Sequence, residues 1–201
     1  MELKNYVAKN FEYLLGIKGF SEILLRNHFL LYQGYVKNVN DLLTELNSLL
    51  VSGKTDVIAF SEGKRRFGWE FNGMVLHELY FENLAKESLG IDRESDFFQK
   101  IVADFGSFEN WEKDFKATGI MRGIGWVVLC YDPTLDRLMN IWINEHDTGH
   151  LAKTTPLLVM DVFEHAYLTD YGIKKADYVE TCLHSINWQL VSERFDKICV
   201  E

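Results

Sequence analysis

Apolar residues, joined by one imidazole, recur every three or four positions from Phe20 to about Leu50, at Ile23, Leu24, His28, Leu31, Tyr35, Val39, Leu42, Leu43 and Leu46. That spacing gathers side chains on one face of an α-helix and predicts a long helix with Ser21 as its cap. Ser52-Gly-Lys-Thr-Asp56 interrupts the pattern, and a second helix is expected from near Asp56 or Glu62 to Glu87, making an antiparallel hairpin. Glu94 to Phe105 and Ser107 to Thr118 have helical patterns, the second capped by Ser107. β-forming residues then dominate Gly123 to Tyr131, and Arg137 to Glu145 alternates. The Pro-bearing turn Asp132-Pro-Thr-Leu-Asp136 between them predicts a β-hairpin. Pro156 to Asp161 supplies a third strand, and Tyr178 to Lys197 is expected to close the chain as one helix with Val179, Leu183, Ile186 and Leu190 on a stripe. The fold class is therefore α+β: an N-terminal helical hairpin domain, residues 1–88, then a mixed α/β domain, residues 89–201, with a three-stranded antiparallel sheet and surrounding helices.

Composition narrows the function classes. With 201 residues and 47% apolar content, the chain can form one core or two lobes sharing an interface. A formal net charge of -9 argues against a nucleic-acid partner, which calls for a basic face. The same charge means that an anionic substrate must be attracted locally rather than by the whole molecule. The start, Met1-Glu-Leu-Lys-Asn-Tyr6, lacks a basic-then-apolar signal pattern, and no run approaches membrane-spanning length, so no membrane association and a cytoplasmic location are expected. Cys130, Cys182 and Cys199 are too widely spaced for a metal knuckle or a disulfide framework and are read as reduced.

The candidate chemistry centres on Asp161-Val-Phe-Glu-His165-Ala-Tyr167, which sets a carboxylate and an imidazole four residues apart after the apolar run Pro156 to Met160. Mixed nitrogen and oxygen ligands in a dry shell suit a redox-active transition metal. A mononuclear site needs further ligands, and the chain has only six histidines. His77 shares a helical face with Gly73, Phe81 and Leu84 and should point inward, although a hydrogen-bonded core histidine would do the same. His28 precedes Tyr35 by seven residues, a step that returns within roughly 20° on a regular helix, so both can face one cavity. His146 ends the second predicted strand, with a strand-end histidine as the plain alternative, and His184 reads as solvated. His77-Glu78 could suggest a zinc hydrolase, but Phe81 stands where the second histidine is needed.

These segments resemble the iron/manganese superoxide dismutases. Besides the Asp161–Tyr167 signature, His77 to Leu84 has the pattern His-x-x-Tyr-Phe-x-Asn-Leu, and Tyr35 to Asn40 the pattern Tyr-Val-x-Asn-x-Asn. Asp104 to Phe108, Gly123 to Trp126, Pro156-Leu-Leu, and Tyr178 through Trp188 look like landmarks in the family's order. The resemblance implies dismutation of superoxide at one iron or manganese ion, iron favoured, held by His28, His77, Asp161 and His165. It also implies outer roles for Tyr35, Trp126 and His146, the last placed as in some archaeal members, tuning the site by a hydrogen bond to a bound water or hydroxide. Gly73 would leave room for that imidazole. Glu164 would reach the partner's metal-bound imidazole in a homodimer or higher homo-oligomer, while Lys175, Arg65 and Arg66 would steer the anion. Three departures stand out. The family's count from Tyr35 lands on Asn27 rather than His28, Phe163 replaces a usual Trp, and Leu168 replaces a Tyr whose partner His is also replaced, by Tyr32 or Leu31. The first motivates a rival reading, a dismutase-like structural or assembly protein without turnover.

Overall fold

The computed structural model describes residues 4–199, the side chain of Cys199 excepted. Helix α1 spans Glu22–Val51, and the Ser21 side chain accepts a hydrogen bond from the Leu24 amide at 3.1 Å, satisfying a donor that a helix start leaves orphaned. Helix α2 spans Ile58–Glu82 and packs along α1, completing the expected hairpin. It stops short of the expected Glu87 because Asn83 caps it and Leu84 pairs with Ile186 in an isolated β-bridge. The buried face of α1 keeps Leu24, His28, Val39 and Leu46 of the expected stripe but is broader on one side. Leu25, Phe29, Tyr32 and Val36 are inside, whereas Ile23 is 67% exposed and Leu31 36%. The cause lies in residues preceding α1, for which the pattern predicted no element. Phe11, Leu14, Ile17 and Phe20 are buried there, and the Phe11 ring lies 5.5 Å from Tyr32 and 4.8 Å from Phe81.

After α3 (Asp96–Phe105) and α4 (Phe108–Gly119), capped by Ser95 and Ser107, come β1 (Gly125–Asp132), β2 (Arg137–Asn144) and β3 (Thr155–Asp161). The sheet is antiparallel with β1 central, in the order β2-β1-β3. Every residue of β1 up to Tyr131 is buried, as expected of a central strand packed on both faces, and its apolar run carries no alternation for that reason. The register sets Trp126 opposite Asp161, which brings a large indole beside the carboxylate at the end of β3.

A short helix α5 (Leu168–Tyr171) leads to α6 (Lys175–His184) and α7 (Trp188–Cys199). The single closing helix expected from Tyr178 to Lys197 is thus two. Residues 185–187 leave the helix to bond the end of α2, with the Ala85 amide donating to Ser185 O and the Asn187 amide to Asn83 O. The Asn187 side chain then accepts from the Leu190 amide and starts α7. From α7, Arg194 donates to Asn83 Oδ1, Leu157 O and Glu82, tying three elements together. Among the described residues no helix is long and apolar enough to cross a membrane.

Candidate metal centre

Four side chains from three parts of the chain converge between α1, α2 and the end of β3. His28 comes from the first turns of α1, His77 from the last two turns of α2, Asp161 from the last residue of β3 and His165 from the 3-10 turn Glu164–Ala166 that follows. One ligand atom from each lies within 4.8 Å of all the others. Nε2 of His28 and of His165 each stand 3.0 Å from Asp161 Oδ2, and Nε2 of His77 stands 3.6 Å from it. His28 thus reaches the cluster on a regular α1, as the seven-residue step to Tyr35 requires, and the neighbouring Asn27 is not part of it.

Whether these residues fit a metal turns on His77. Its Nδ1 donates to the Gly73 carbonyl at 2.5 Å, so in the neutral ring Nε2 carries the lone pair. That atom is buried without a hydrogen-bond partner and faces a carboxylate oxygen. A lone pair aimed at an anion is costly to bury and is relieved by a cation between them, so the donor set fits a metal ion. The protonation states agree. Burial lowers the His28 imidazole below its usual range, against the pull of Asp161, and lowers His77 much further, with His28 adding to the effect. Burial alone would raise the Asp161 carboxyl. The His165 charge and the hydrogen bonds from His165 and His28 outweigh it and hold that carboxyl well below the usual range. Neutral imidazoles at His28 and His77 and an ionised carboxylate at Asp161 are what metal binding requires of those three groups.

The backbone holds the carboxylate in place: Asp161 Oδ1 accepts from the Phe163 amide at 2.8 Å, and the Asp161 carbonyl accepts from the Tyr178 hydroxyl at 2.6 Å. Around it, the Trp126 ring meets His77 edge-on at 4.9 Å. Trp126 Nε1 donates to His146 Nδ1 at 3.0 Å, so the neutral imidazole carries its proton on Nε2, which lies 2.7 Å from the Tyr35 hydroxyl. Both ring nitrogens of His146 are therefore engaged. The Tyr35 hydroxyl thus holds the position at Nε2 that the expected bond to a bound water or hydroxide would use. Gly73 also makes room for a different ring than expected. A Cβ there would stand 2.7 Å from ring carbons of Tyr35, so the space serves the tyrosine.

Residues 93–194 match the family described as iron/manganese superoxide dismutases, C-terminal domain. The chain is 37% identical over 182 residues to the "Superoxide dismutase [Fe]" of Cupriavidus metallidurans, covering 89% of this chain and 90% of that protein. The chain belongs to the iron/manganese superoxide dismutase family. Archaeal relatives include the "Superoxide dismutase [Fe]" of Methanothermobacter thermautotrophicus, 34% identical over 88% of this chain and 86% of the relative. The "Superoxide dismutase [Mn]" of Haloarcula marismortui is 31% identical over 88% and 85%.

The remaining site residues proposed from the sequence sit further out in this dismutase. Lys175, the first residue of α6, donates to the carbonyls of Met121 and Gly123 and lies over the Trp142 ring, and burial lowers its ammonium while the Asp161 charge opposes that. Arg65 is 74% exposed and bonds Glu62, and Arg66 bonds Glu70, so each of these cations has a carboxylate against it. Glu164 is exposed beside His165, whose side chain is 29% exposed. Three ring contacts escaped sequence reasoning. The Phe163 ring stacks on both His146 and His165, at 4.7 and 5.1 Å, and the Trp69 edge meets His146 at 4.8 Å. The signal for Trp69 was its place on α2, eight residues before His77 and near the same face.

Proposed function

We propose that His28, His77, Asp161 and His165 hold one iron or manganese ion, and that this centre is where the enzyme converts superoxide to dioxygen and hydrogen peroxide. The observation that carries the reading is the buried, partnerless Nε2 of His77 facing Asp161 Oδ2. When bound, such an ion supplies a one-electron couple and positive charge for a small anion. Relatives are named as iron and as manganese enzymes, and iron is our first choice because the setting of His146 resembles that of iron-using archaeal members of the family.

The surrounding side chains manage protons and water. Burial, reinforced by the Asp161 charge, pushes the Tyr35 phenol up to about 12, so it keeps its proton at neutral pH. Because His146 Nε2–H donates to the Tyr35 oxygen, the phenol's own hydrogen is free to turn toward the cluster and serve the forming peroxide. Burial lowers the His146 imidazole to about 4, which keeps it neutral in that role. Trp126, Phe163 and Trp69 pack rings against His77 and His146 and would limit water there. Lys175 joins Arg66 as a local cation for the approaching anion, with Arg65 the most distant in role because it is solvated. The division into residues 1–88 and 89–201, with the centre between them, belongs to the same proposal, as does a homodimer or larger assembly in which Glu164 reaches the partner's imidazole. The partly open side of His165 beside the exposed Glu164 supports the assembly. We place the enzyme in the cytoplasm, where the buried Cys130 and Cys182 would stay as free thiols.

The test is superoxide turnover by metal-loaded protein. His146→Gln should retain the metal yet change activity or metal preference by roughly 10-fold, as loss of an outer hydrogen bond does. Unchanged activity and preference would remove His146 from the mechanism.

A further inference from the structure

Glu70 is a carboxylate in an unusual position, with a side chain only 3% exposed on α2, one turn outboard of Gly73. Burying a charge is tolerated when it is paired and bonded on its remaining lone pairs. Both conditions are met here. Arg66 donates to Glu70 Oε1 from Nε at 2.7 Å and from the terminal Nη2 at 2.6 Å, and Asn38 Nδ2 donates to Oε2 at 3.1 Å. An arginine 57% exposed would ordinarily sample many rotamers, but this one is held from a buried anchor. Its guanidinium lies 5.2 Å over the Trp69 ring, Trp69 meets His146, and His146 meets Tyr35. Asn38 is three residues beyond Tyr35 on α1, so the anchor spans both helices that carry the mouth of the centre.

We infer that Glu70 is a positioning residue for anion entry: it fixes the Arg66 cation over Trp69, beside the Tyr35–His146 pair, and Asn38 completes the clamp. The Arg66 charge acts on both Tyr35 and His146, which supports its nearness. The inference rests on the functional reading above and deepens it. Glu70 has two opposed effects. Its negative charge repels an incoming anion, while its anchorage holds a positive charge where the anion passes. These effects separate experimentally because one depends on charge and the other on bonding.

The probe is azide, a small monovalent anion, titrated into the oxidised metal-loaded enzyme and followed by its visible absorption. Glu70→Gln removes the charge but keeps an acceptor for Arg66, its NH2 group pairing with Asn38 once that amide turns to present Oδ1, and azide should bind about threefold tighter. Glu70→Leu removes the same charge together with the anchor, and affinity should fall to the wild-type level or below. Asn38→Ala changes no charge at an exposed position and should weaken azide about twofold, raise the KM for superoxide with kcat unchanged, and reduce the salt dependence of kcat/KM. Equal tightening in Glu70→Gln and Glu70→Leu, or no effect of Asn38→Ala, would overturn the inference. Should Glu70→Leu fail to fold, as judged by circular dichroism and metal content, Asn38→Ala decides alone. A wild type without turnover or azide binding defeats the functional reading as well, whereas normal turnover with a flat variant series defeats only this inference.

Discussion

Asp161→Asn is expected to leave a folded protein that has lost its metal and its turnover. The carboxylate oxygen Oδ2 is the point on which three imidazoles converge, at 3.0, 3.0 and 3.6 Å. An amide keeps the shape of the side chain and can still accept from the Phe163 amide, as Oδ1 does now. Its NH2 group can also donate to the His77 Nε2 lone pair, which has no partner at present. The substitution therefore gives the His77 lone pair a donor and removes the negative charge, while His28 and His165 lose the acceptor that Oδ2 offers them. Metal affinity should fall by roughly 100-fold or more, beyond the 10–100-fold that a lost outer hydrogen bond costs. Metal content after dialysis, read beside turnover and far-UV circular dichroism, checks this. Full occupancy in the variant would mean that Asp161 is not a ligand.

The second large effect is on stability. Stripping the metal should lower the melting temperature by roughly 8–16 °C, because a ligand at 1,000 times its Kd contributes about 4 kcal/mol and a chain of this size shifts about 2–4 °C per kcal/mol. The stripped protein should also weaken in acid, and the sign follows from the histidines. His28, His77 and His146 all titrate below their usual range in the folded protein, His146 at about 4. The unfolded chain takes up their protons near 6.5, so it binds more protons than the folded one between that value and about 4. Stability is then fully present above about 6.5 and is lost as the pH falls through this window. Scanning calorimetry of the stripped protein across pH provides the check. A melting temperature that is flat from neutral pH to about 4, or unchanged by stripping, would contradict the assignment of these imidazoles to a buried metal cluster.

Much of this arrangement could be read from residue order alone, for identifiable reasons. The helical hairpin, the three strands and the Ser21 and Ser107 caps follow from short-range periodicity and local hydrogen bonding, which act within a few residues. Asp161 and His165 were legible because four residues of chain join them, and His28 because its seven-residue step to Tyr35 suits a regular helix. What escaped depends on distant partners. The break at residues 185–187 exists because the end of α2 offers Asn83 and Ala85 for backbone pairing, about a hundred residues earlier in the chain. The widening of the α1 face comes from Phe11 and its neighbours, whose three-residue spacing at Phe11, Leu14, Ile17 and Phe20 lies outside the pattern that begins at Phe20. Gly73 was rightly singled out as a place of close approach, but the approaching ring is Tyr35 from the neighbouring helix, not His146 from beyond the sheet. The pairing of Arg66 with Glu70 obeys the familiar four-residue spacing, yet its burial under Asn38 depends on how α1 and α2 pack.

The most direct measurement is elemental analysis of the purified, metal-loaded protein beside His28→Ala. His28 is the proposed ligand from α1, seven residues before Tyr35, so it separates a closed metal centre from a dismutase fold that has lost its site. One iron or manganese ion per chain in the wild type, with strongly reduced content and turnover in His28→Ala under the same loading, is the expected result. A wild type that takes up neither metal, or a His28→Ala protein that keeps a full complement, would contradict the account.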